Sequence, residues 1–257
     1  MFDLMDKNAL VTGASGGIGG AIARALHAAG ARVGLSGTRA GALDALAGEL
    51  GDGAFAVPAD LSSANGAKTL VKDAEAALGG IDILVNNAGL TRDQLAVRMS
   101  DEDWQTIWEV NLMSHVYAAR NLIPRMAARG GGYLLNTSSA AGLLSQIGSV
   151  TYAVTKHAAV ALAEWLAITH GHEGIKVSVL CPQAVRTAMT AGNEGGVASV
   201  DGMIEAEQVA DTVIEALAEE RFLVLPHPEV AEYMRRKAGD YDRWLRGMQR
   251  LNQQYNT

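Results

Sequence analysis

Apolar residues in this 257-residue chain fall into short continuous runs, separated by stretches in which they recur every three or four positions. Short apolar runs bounded by turn residues predict buried strands, and the helical period predicts helices packed against them. Strands are expected at 9–11, 32–36, 54–58, 81–87, 133–137, 176–181 and 222–226. Helices are expected at 18–29, stopped by Gly30, and then near 40–50, 64–78, 151–169 and 205–219. A longer helix starts at Ser100, where Ser100 and Asp103 form a capping box, and runs to about Arg129 before the glycines 130–132. Pro124 is expected to kink or shorten it. The last stretch, 229–255, is charged and helical, with Tyr233, Trp244, Met248 and Leu251 as anchors. Between the sixth strand and the following helix, 187–203 carries Gly192, Gly195, Gly196 and Gly202 and reads as a mobile loop.

Strands alternating with helices through short connections imply βαβ units, hence an α/β fold with a parallel sheet of about seven strands and helices on both faces. There is no linker, repeat or low-complexity segment, so 1–257 reads as a single domain whose C-terminal tail, 229–257, is helical.

Composition narrows the function. Hydrophobic residues make up 49% of the chain, enough for a substantial core. The formal net charge of -7 opposes any general attraction to nucleic acid or anionic membrane. A single cysteine, Cys181, excludes an internal disulfide framework and suits a reducing compartment. The N-terminus carries Asp3 and Asp6 and no long apolar core, and no apolar stretch is long enough to span a bilayer. The expected location is cytoplasmic. His170 and His172 at a helix end lack the further ligands of a zinc set, so no metal is expected.

Chemistry enters at the first turn. Between the first strand and first helix lies Thr12-Gly13-Ala14-Ser15-Gly16-Gly17-Ile18-Gly19. Gly13, Gly17 and Gly19 permit a tight turn and close approach to a pyrophosphate, which the helix N-terminus attracts through its free N–H groups. The spacing is G-x-x-x-G-x-G rather than G-x-G-x-x-G. After the second strand no carboxylate precedes Asp44, whereas Ser36, Thr38 and Arg39 can hold a 2′-phosphate, which favours NADP(H) over NAD(H). Asp60, after the third strand, is placed to reach an adenine edge or to cap a turn. Asn86-Asn87-Ala88-Gly89 closes the fourth strand with small residues that leave room for a ring.

The second chemical cluster is 139–156. Tyr152 and Lys156, four apart, share one helix face. Ser139 ends the preceding apolar run. A phenol titrates near about 10, and an ammonium beside it lowers that value. Serine, phenol and ammonium together suggest proton transfer to or from a substrate oxygen.

These elements together resemble the classical short-chain dehydrogenase/reductase family: TGASGGIG at 12–19, Asp60, NNAG at 86–89, Asn111, Ser139, Tyr152 and Lys156 occur in the family's order and near its spacing. The resemblance implies a Rossmann-like doubly wound sheet. It implies Tyr152 as the acid/base, Lys156 lowering its pKa and holding the nicotinamide ribose, Ser139 orienting the substrate oxygen, and Asn111 holding a proton-relay water. It extends the dinucleotide site to Ser15, Ile18, Leu61, Asn87, Ala88, Gly89, Pro182, Val185 and Thr187. It implies a homodimer or homotetramer associating through the helix 151–169 and the one before it, acting on a small carbonyl or alcohol.

Two departures stand out. Gln183 occupies the position where the family usually has glycine after Pro182. And residues 1 to about 107 resemble bacterial 3-oxoacyl-acyl-carrier-protein reductases, while the remainder resembles another branch of the family. That division implies a recombined chain joined near 107–110. An acyl-carrier reductase is therefore the alternative enzyme, for which Arg125 and Arg129 would meet an acidic carrier, although arginines late in a helix more often simply solvate it and complement its dipole. A non-catalytic dinucleotide-binding scaffold or sensor is the alternative from another class. Gln183, Val150, Leu143 and Met189 are the expected lining of the substrate pocket.

Overall fold

The computed structural model describes residues 2–91, 98–192 and 195–255. Residues 193 and 194 of the expected loop, 92–97 of the reductase-like stretch, and 256–257 of the tail lie outside the described residues.

Seven strands form one parallel sheet in the order β3-β2-β1-β4-β5-β6-β7. They are β1 (Asn8–Thr12), β2 (Arg32–Ser36), β3 (Ala54–Ala56), β4 (Ile83–Asn86), β5 (Gly132–Thr137), β6 (Ile175–Leu180) and β7 (Leu223–Val224). Helices α1 (Gly17–Ala28), α2 (Ala40–Leu50) and α8 (Ala206–Glu219) cover one face; α3 (Ala64–Leu78), α5 (Ser114–Ala128) and α7 (Val150–His170) cover the other. This is the expected Rossmann-like α/β fold.

The strands read as unbroken apolar runs because both faces are buried. Ala9 and Val11 of β1, Ile83 and Val85 of β4, and Tyr133 and Leu135 of β5 point into the core beneath α1 and α8. Leu10, Leu84 and Leu134 point into the opposite core, beneath α3, α5 and α7. Strand periodicity therefore sorts one run into two cores.

Several boundaries differ from expectation. The edge strand β3 stops at Ala56, two residues short of Pro58, although the Val57 and Ala59 N–H groups still reach the carbonyls of Leu35 and Gly37. The long helix is three pieces: α4 (Asp101–Trp108), a π-helical turn over Glu109–Met113, and α5. Ser100 caps α4 as expected, its Oγ accepting from the Asp103 N–H at 3.1 Å. Pro124 does not end α5, which continues to Ala128. The irregularity falls instead at the π turn. There the Ser114 N–H reaches back to the Glu109 carbonyl, and the Ser114 Oγ satisfies the Val110 carbonyl at 2.7 Å.

The tail is two helices, α9 (Glu229–Gly239) and α10 (Tyr241–Tyr255). Asp240 breaks from helical geometry between them and caps α10, its Oδ1 accepting from the Arg243 N–H at 2.9 Å. A short helix absent from the sequence reading, α6 (Ala141–Leu144), packs with Val230, Tyr233 and Trp244 in a third, smaller core. No described helix is long and apolar enough to cross a membrane.

Candidate active site

The sheet order reverses between β1 and β4, and a parallel sheet leaves a crevice at such a point, at the C-terminal ends of its strands. Thr12 stitches the crevice together. Its Oγ1 accepts from the N–H groups of Asn87 (2.8 Å) and Ala88 (3.1 Å) and donates to the Val85 carbonyl at 3.2 Å. The Asn87 amide donates back to the Thr12 carbonyl at 3.1 Å.

The glycine turn fits this floor only without side chains. Gly13 has φ of 65°, in the left-handed region. A Cβ on Gly19 would lie 2.4 Å from the Gly13 carbonyl oxygen and 2.5 Å from the Asn87 amide nitrogen. No side chain caps α1 at Gly16, so its first-turn N–H groups face the crevice. A side-chain-free turn below an uncapped helix start fits a dinucleotide pyrophosphate.

The remaining predicted cofactor residues surround this turn. Arg39 folds back on it, donating from Nη2 to the Ser15 carbonyl at 2.6 Å. Ser36 is buried at the end of β2 with its Oγ unpartnered, while Thr38 is exposed. A buried hydroxyl without an acceptor, next to an arginine and a second hydroxyl, suits a phosphate. The Asp60 Oδ1 accepts from the Ser62 N–H at 2.9 Å, and that hydrogen bond holds its carboxyl below the usual range. Asp60 thus takes the turn role while staying exposed; Leu61 beside it is buried. Ile18 packs on the α1 core and Ala88 on the opposite one. Gly89 faces Asn111 and Lys156: a Cβ there would stand 3.5 Å from both the Asn111 Oδ1 and the Lys156 Nζ. Thr187 closes the far side against Gly17, and Val185 is buried, bridging to Ile204.

The four predicted catalytic residues converge. Lys156 is buried on α7 and donates from Nζ to the Thr137 carbonyl at 3.0 Å. Its ammonium lies 5.5 Å from the centre of the Tyr152 ring. Burial pulls the Lys156 ammonium down to about 8. Asn111 sits in the π turn, bonded at both ends of its amide to Leu90: Nδ2 to the carbonyl at 2.9 Å, and Oδ1 from the N–H at 2.7 Å. Its Nδ2 also meets the Thr155 Oγ1 at 3.2 Å. Ser139 accepts from the Ala141 N–H at 3.1 Å and donates weakly to the Pro182 carbonyl at 3.3 Å.

One expectation is corrected. The Tyr152 phenol is not depressed: burial raises it above its ordinary value, and the Ser139 hydroxyl only partly offsets this. Lys156 spends a proton on the Thr137 carbonyl rather than on the phenol, so its ammonium does not reverse the cost of burial.

Ser139 and Tyr152 open onto a cavity of about 1000 Å³. Its walls come from α6, the 187–203 segment, and the two tail helices, through residues such as Leu144, Met189, Val197, Trp244 and Leu251. Gln183 and Met189 line it as expected. Val150 does not, lining a neighbouring depression under Tyr241 and Leu245. Leu143 packs into the cores below, its carbonyl accepting from the Lys237 Nζ at 2.7 Å. Arg125 and Arg129 are engaged within the chain: Arg125 pairs with Glu75, and Arg129 donates to the Ile81 carbonyl at 2.7 Å. Cys181 is fully buried, which pushes its thiol up to about 12.

Gln183, the departure from the family pattern, is built into a network. Its N–H donates to the buried His227 ring at 3.2 Å, and its Nε2 to the Asp201 Oδ2 at 3.0 Å. The other oxygen of Asp201 accepts from the Tyr233 hydroxyl at 2.8 Å. Asp201 thereby ties the segment after β6 to α9. Thr12, Thr137, Ser138, His115 and Asp201 were not legible as site residues; only Thr12, Thr137 and Ser138, flanking motifs already singled out, carried a signal. Ser138 holds the main chain of Lys156, its Oγ donating to that carbonyl at 2.8 Å. His115, one turn after Asn111, is buried, and burial together with the nearby Lys156 pulls it down to about 3.

A crevice built for a dinucleotide beside a serine, a phenol and an ammonium defines an oxidoreductase acting on CH–OH groups. The short chain dehydrogenase family model matches residues 7–196. The chain is 47% identical over 190 residues to Nodulation protein G of Rhizobium sp. (strain N33), covering 74% of this chain and 78% of that one. It is 36% identical, over 74% of this chain and 77% of the relative, to the 3-oxoacyl-[acyl-carrier-protein] reductase FabG of Rickettsia bellii. A short chain dehydrogenase/reductase from Burkholderia phymatum in complex with NAD superposes with a TM-score of 0.87 at 29% identity, covering 94% of this chain and 96% of that one. L-Sorbose reductase from Gluconobacter frateurii, complexed with NADPH and L-sorbose, superposes at 0.78 with 27% identity, covering 87% and 97%. The chain belongs to the short-chain dehydrogenase/reductase family, whose members bind NAD(P).

Proposed function

We propose that this protein is an NADPH-dependent carbonyl reductase that interconverts a ketone and a secondary alcohol. The observation that carries the reading is the placement of Ser139 and Tyr152 on the wall of one cavity, with Lys156 buried directly behind them. The nicotinamide, when bound, supplies the hydride in reduction and accepts it in oxidation. Ser139 donates a hydrogen bond to the substrate oxygen, exchanging its weak 3.3 Å bond to Pro182 for a better acceptor. Tyr152 gives that oxygen its proton as the carbonyl carbon is reduced. A phenol held protonated by burial suits that direction, and alcohol oxidation should therefore gain from alkaline pH. Lys156 holds the ribose hydroxyls and restores the proton. Asn111 anchors the π turn beside it, the segment through which solvent protons arrive.

The NADP preference rests on Arg39, Ser36 and Thr38, with no carboxylate after β2. Association as a dimer or tetramer is supported by Val154, Trp165 and Ile168, large apolar residues exposed on α7. A cytoplasmic location rests on the single buried Cys181. The second reading, a 3-oxoacyl-carrier reductase, is favoured by the relatives named for that activity, and faster turnover of acetoacetyl thioesters than of simple ketones would establish it.

The direct test is Tyr152→Phe, followed by NADPH oxidation across a panel of ketones and by titration of NADPH binding. Turnover should fall about 10³-fold, with the NADPH Kd within a few-fold of the parent. Near-parental turnover would refute the assignment. Cofactor binding without turnover of any carbonyl or alcohol by the parent protein would favour the scaffold reading.

A further inference from the structure

The tail helix α10 presents one face to the substrate cavity. That face carries Arg243 and Arg250, seven residues and therefore about 10 Å apart. Gly247 lies between them and also lines the cavity, and the Arg250 guanidinium reaches back over it, 3.9 Å from where a Cβ would stand. The rest of the wall beside them is apolar, from Trp244, Met248 and Leu251.

Neither guanidinium has an ion pair or hydrogen bond among the described residues, whereas several other arginines are paired with acids. Arg24 meets Glu49, Arg186 meets Glu205, Arg221 meets Glu219, and Arg235 meets Glu232. Arg236, on the same cavity rim, is held by Glu232 at 2.9 Å. The acid on the rim, Asp240, meets only the Arg243 main chain through the helix cap. In a chain of net charge -7, two exposed guanidinium groups without an ion-pair partner, on the α10 wall of the cavity beside Trp244, Met248 and Leu251, are a local reversal of sign.

We propose that the substrate carries an anionic group, a carboxylate or a phosphate, at the far end of an apolar chain from its reacting carbonyl, and that Arg243 and Arg250 bind it. The inference rests on the carbonyl-reductase reading above. Ser139 and Tyr152 mark the reacting end of the cavity, and the apolar wall between takes the chain. Arginine suits the other end because its planar donors meet carboxylate or phosphate oxygens two at a time.

Methyl-ketone fatty acids of graded chain length, their methyl esters, and the matching keto-alkyl phosphate monoesters separate the possibilities. Each would be assayed with NADPH on the parent, Arg243→Gln, Arg250→Gln and Arg246→Gln. Arg246 lies on the same helix but outside the cavity, so its variant controls for lost charge. At the best chain length an anion should exceed its ester by about tenfold in kcat/KM, a gap that narrows with salt. Arg243→Gln and Arg250→Gln should each raise KM for that anion by about tenfold with kcat little changed, leaving the ester unaffected. Arg246→Gln should match the parent. Preference between carboxylate and phosphate identifies the group. Esters turned over as well as anions at every length, or equal losses in all three variants, would overturn the inference alone. Failure of esters and anions alike to react would overturn the carbonyl-reductase reading, and this inference with it.

Discussion

Lys156 is held from both ends by the last turn of β5: its ammonium donates to the Thr137 carbonyl at 3.0 Å, and its own carbonyl accepts from the Ser138 Oγ at 2.8 Å. The side chain is immobilised, buried and titrates at about 8. A lysine whose native pKa lies below its unfolded value binds fewer protons when folded. The stability cost is complete below about 8 and disappears as pH rises toward the unfolded value near 10.4.

Lys156→Met should therefore unfold at or above the parental Tm at pH 7, with the difference shrinking as pH is raised through 10. Thermal unfolding across that range checks it. A difference that grows with pH would mean the ammonium is net stabilising and the sign is wrong. The same variant should bind NADPH at least tenfold more weakly at pH 7, because the lost ammonium is a charge-assisted donor.

In the proposed function, Arg39 carries the preference for NADPH. Its guanidinium rests on the Ser15 carbonyl and is otherwise exposed, so the fold loses little without it. Arg39→Ala should raise the NADPH Kd by about tenfold while leaving that of NADH within twofold, as measured by fluorescence titration. Equal effects on the two cofactors would remove Arg39 from the 2′-phosphate site.

Gly142 governs how closely α6 meets α7. A Cβ there would fall 2.4 Å from the Ser138 Oγ and 2.5 Å from the Lys156 carbonyl, the two atoms that bond to each other. Gly142→Ala should cost about 1–3 kcal/mol of stability through overpacking. It should also lower kcat more than tenfold, because Ser139 and Lys156 are displaced together. Parental kcat in a folded Gly142→Ala protein would show that the contact relaxes without reaching the site.

Asp201 couples Gln183 to Tyr233. Asp201→Ala should raise KM several-fold with a smaller change in kcat, since the pair shapes the substrate wall rather than the reacting atoms. Tyr233→Phe and Asp201→Ala should be non-additive in a double-mutant cycle, with a coupling of about 0.5–1 kcal/mol for an exposed pair. Additive effects would mean that the bond is not kept in solution.

Much of this arrangement was legible in the chain. The glycine turn at 13–19, the NNAG segment, and Ser139, Tyr152 and Lys156 announce themselves because each chemistry demands particular residue types at short separations. The unread parts depend on contacts distant in sequence. Asp201 finds Tyr233 thirty-two residues away, and Thr12 finds Asn87 seventy-five away. No local periodicity encodes such distances. The raised Tyr152 phenol was missed for a related reason. Proximity of Lys156 is visible in the four-residue spacing, whereas burial and the competing Thr137 carbonyl are products of packing.

The π turn at 109–113 and the break at Asp240 show the same limit inside helices. Helical periodicity continues through both, so the pattern predicts continuous helix, yet Ser114 and Asp240 redirect the backbone with their own side chains. By itself, then, the sequence determined the α/β class, the strand order of appearance, the glycine turn at 13–19 and the candidate set Ser139, Tyr152 and Lys156, because those follow from local period and residue chemistry. Tertiary structure alone decided the crevice between β1 and β4, the titration of Tyr152 and Lys156, and the cavity roofed by α9 and α10 with its two unpaired arginines. Each of these arises only where segments far apart in the chain exclude water from one another or leave it in place.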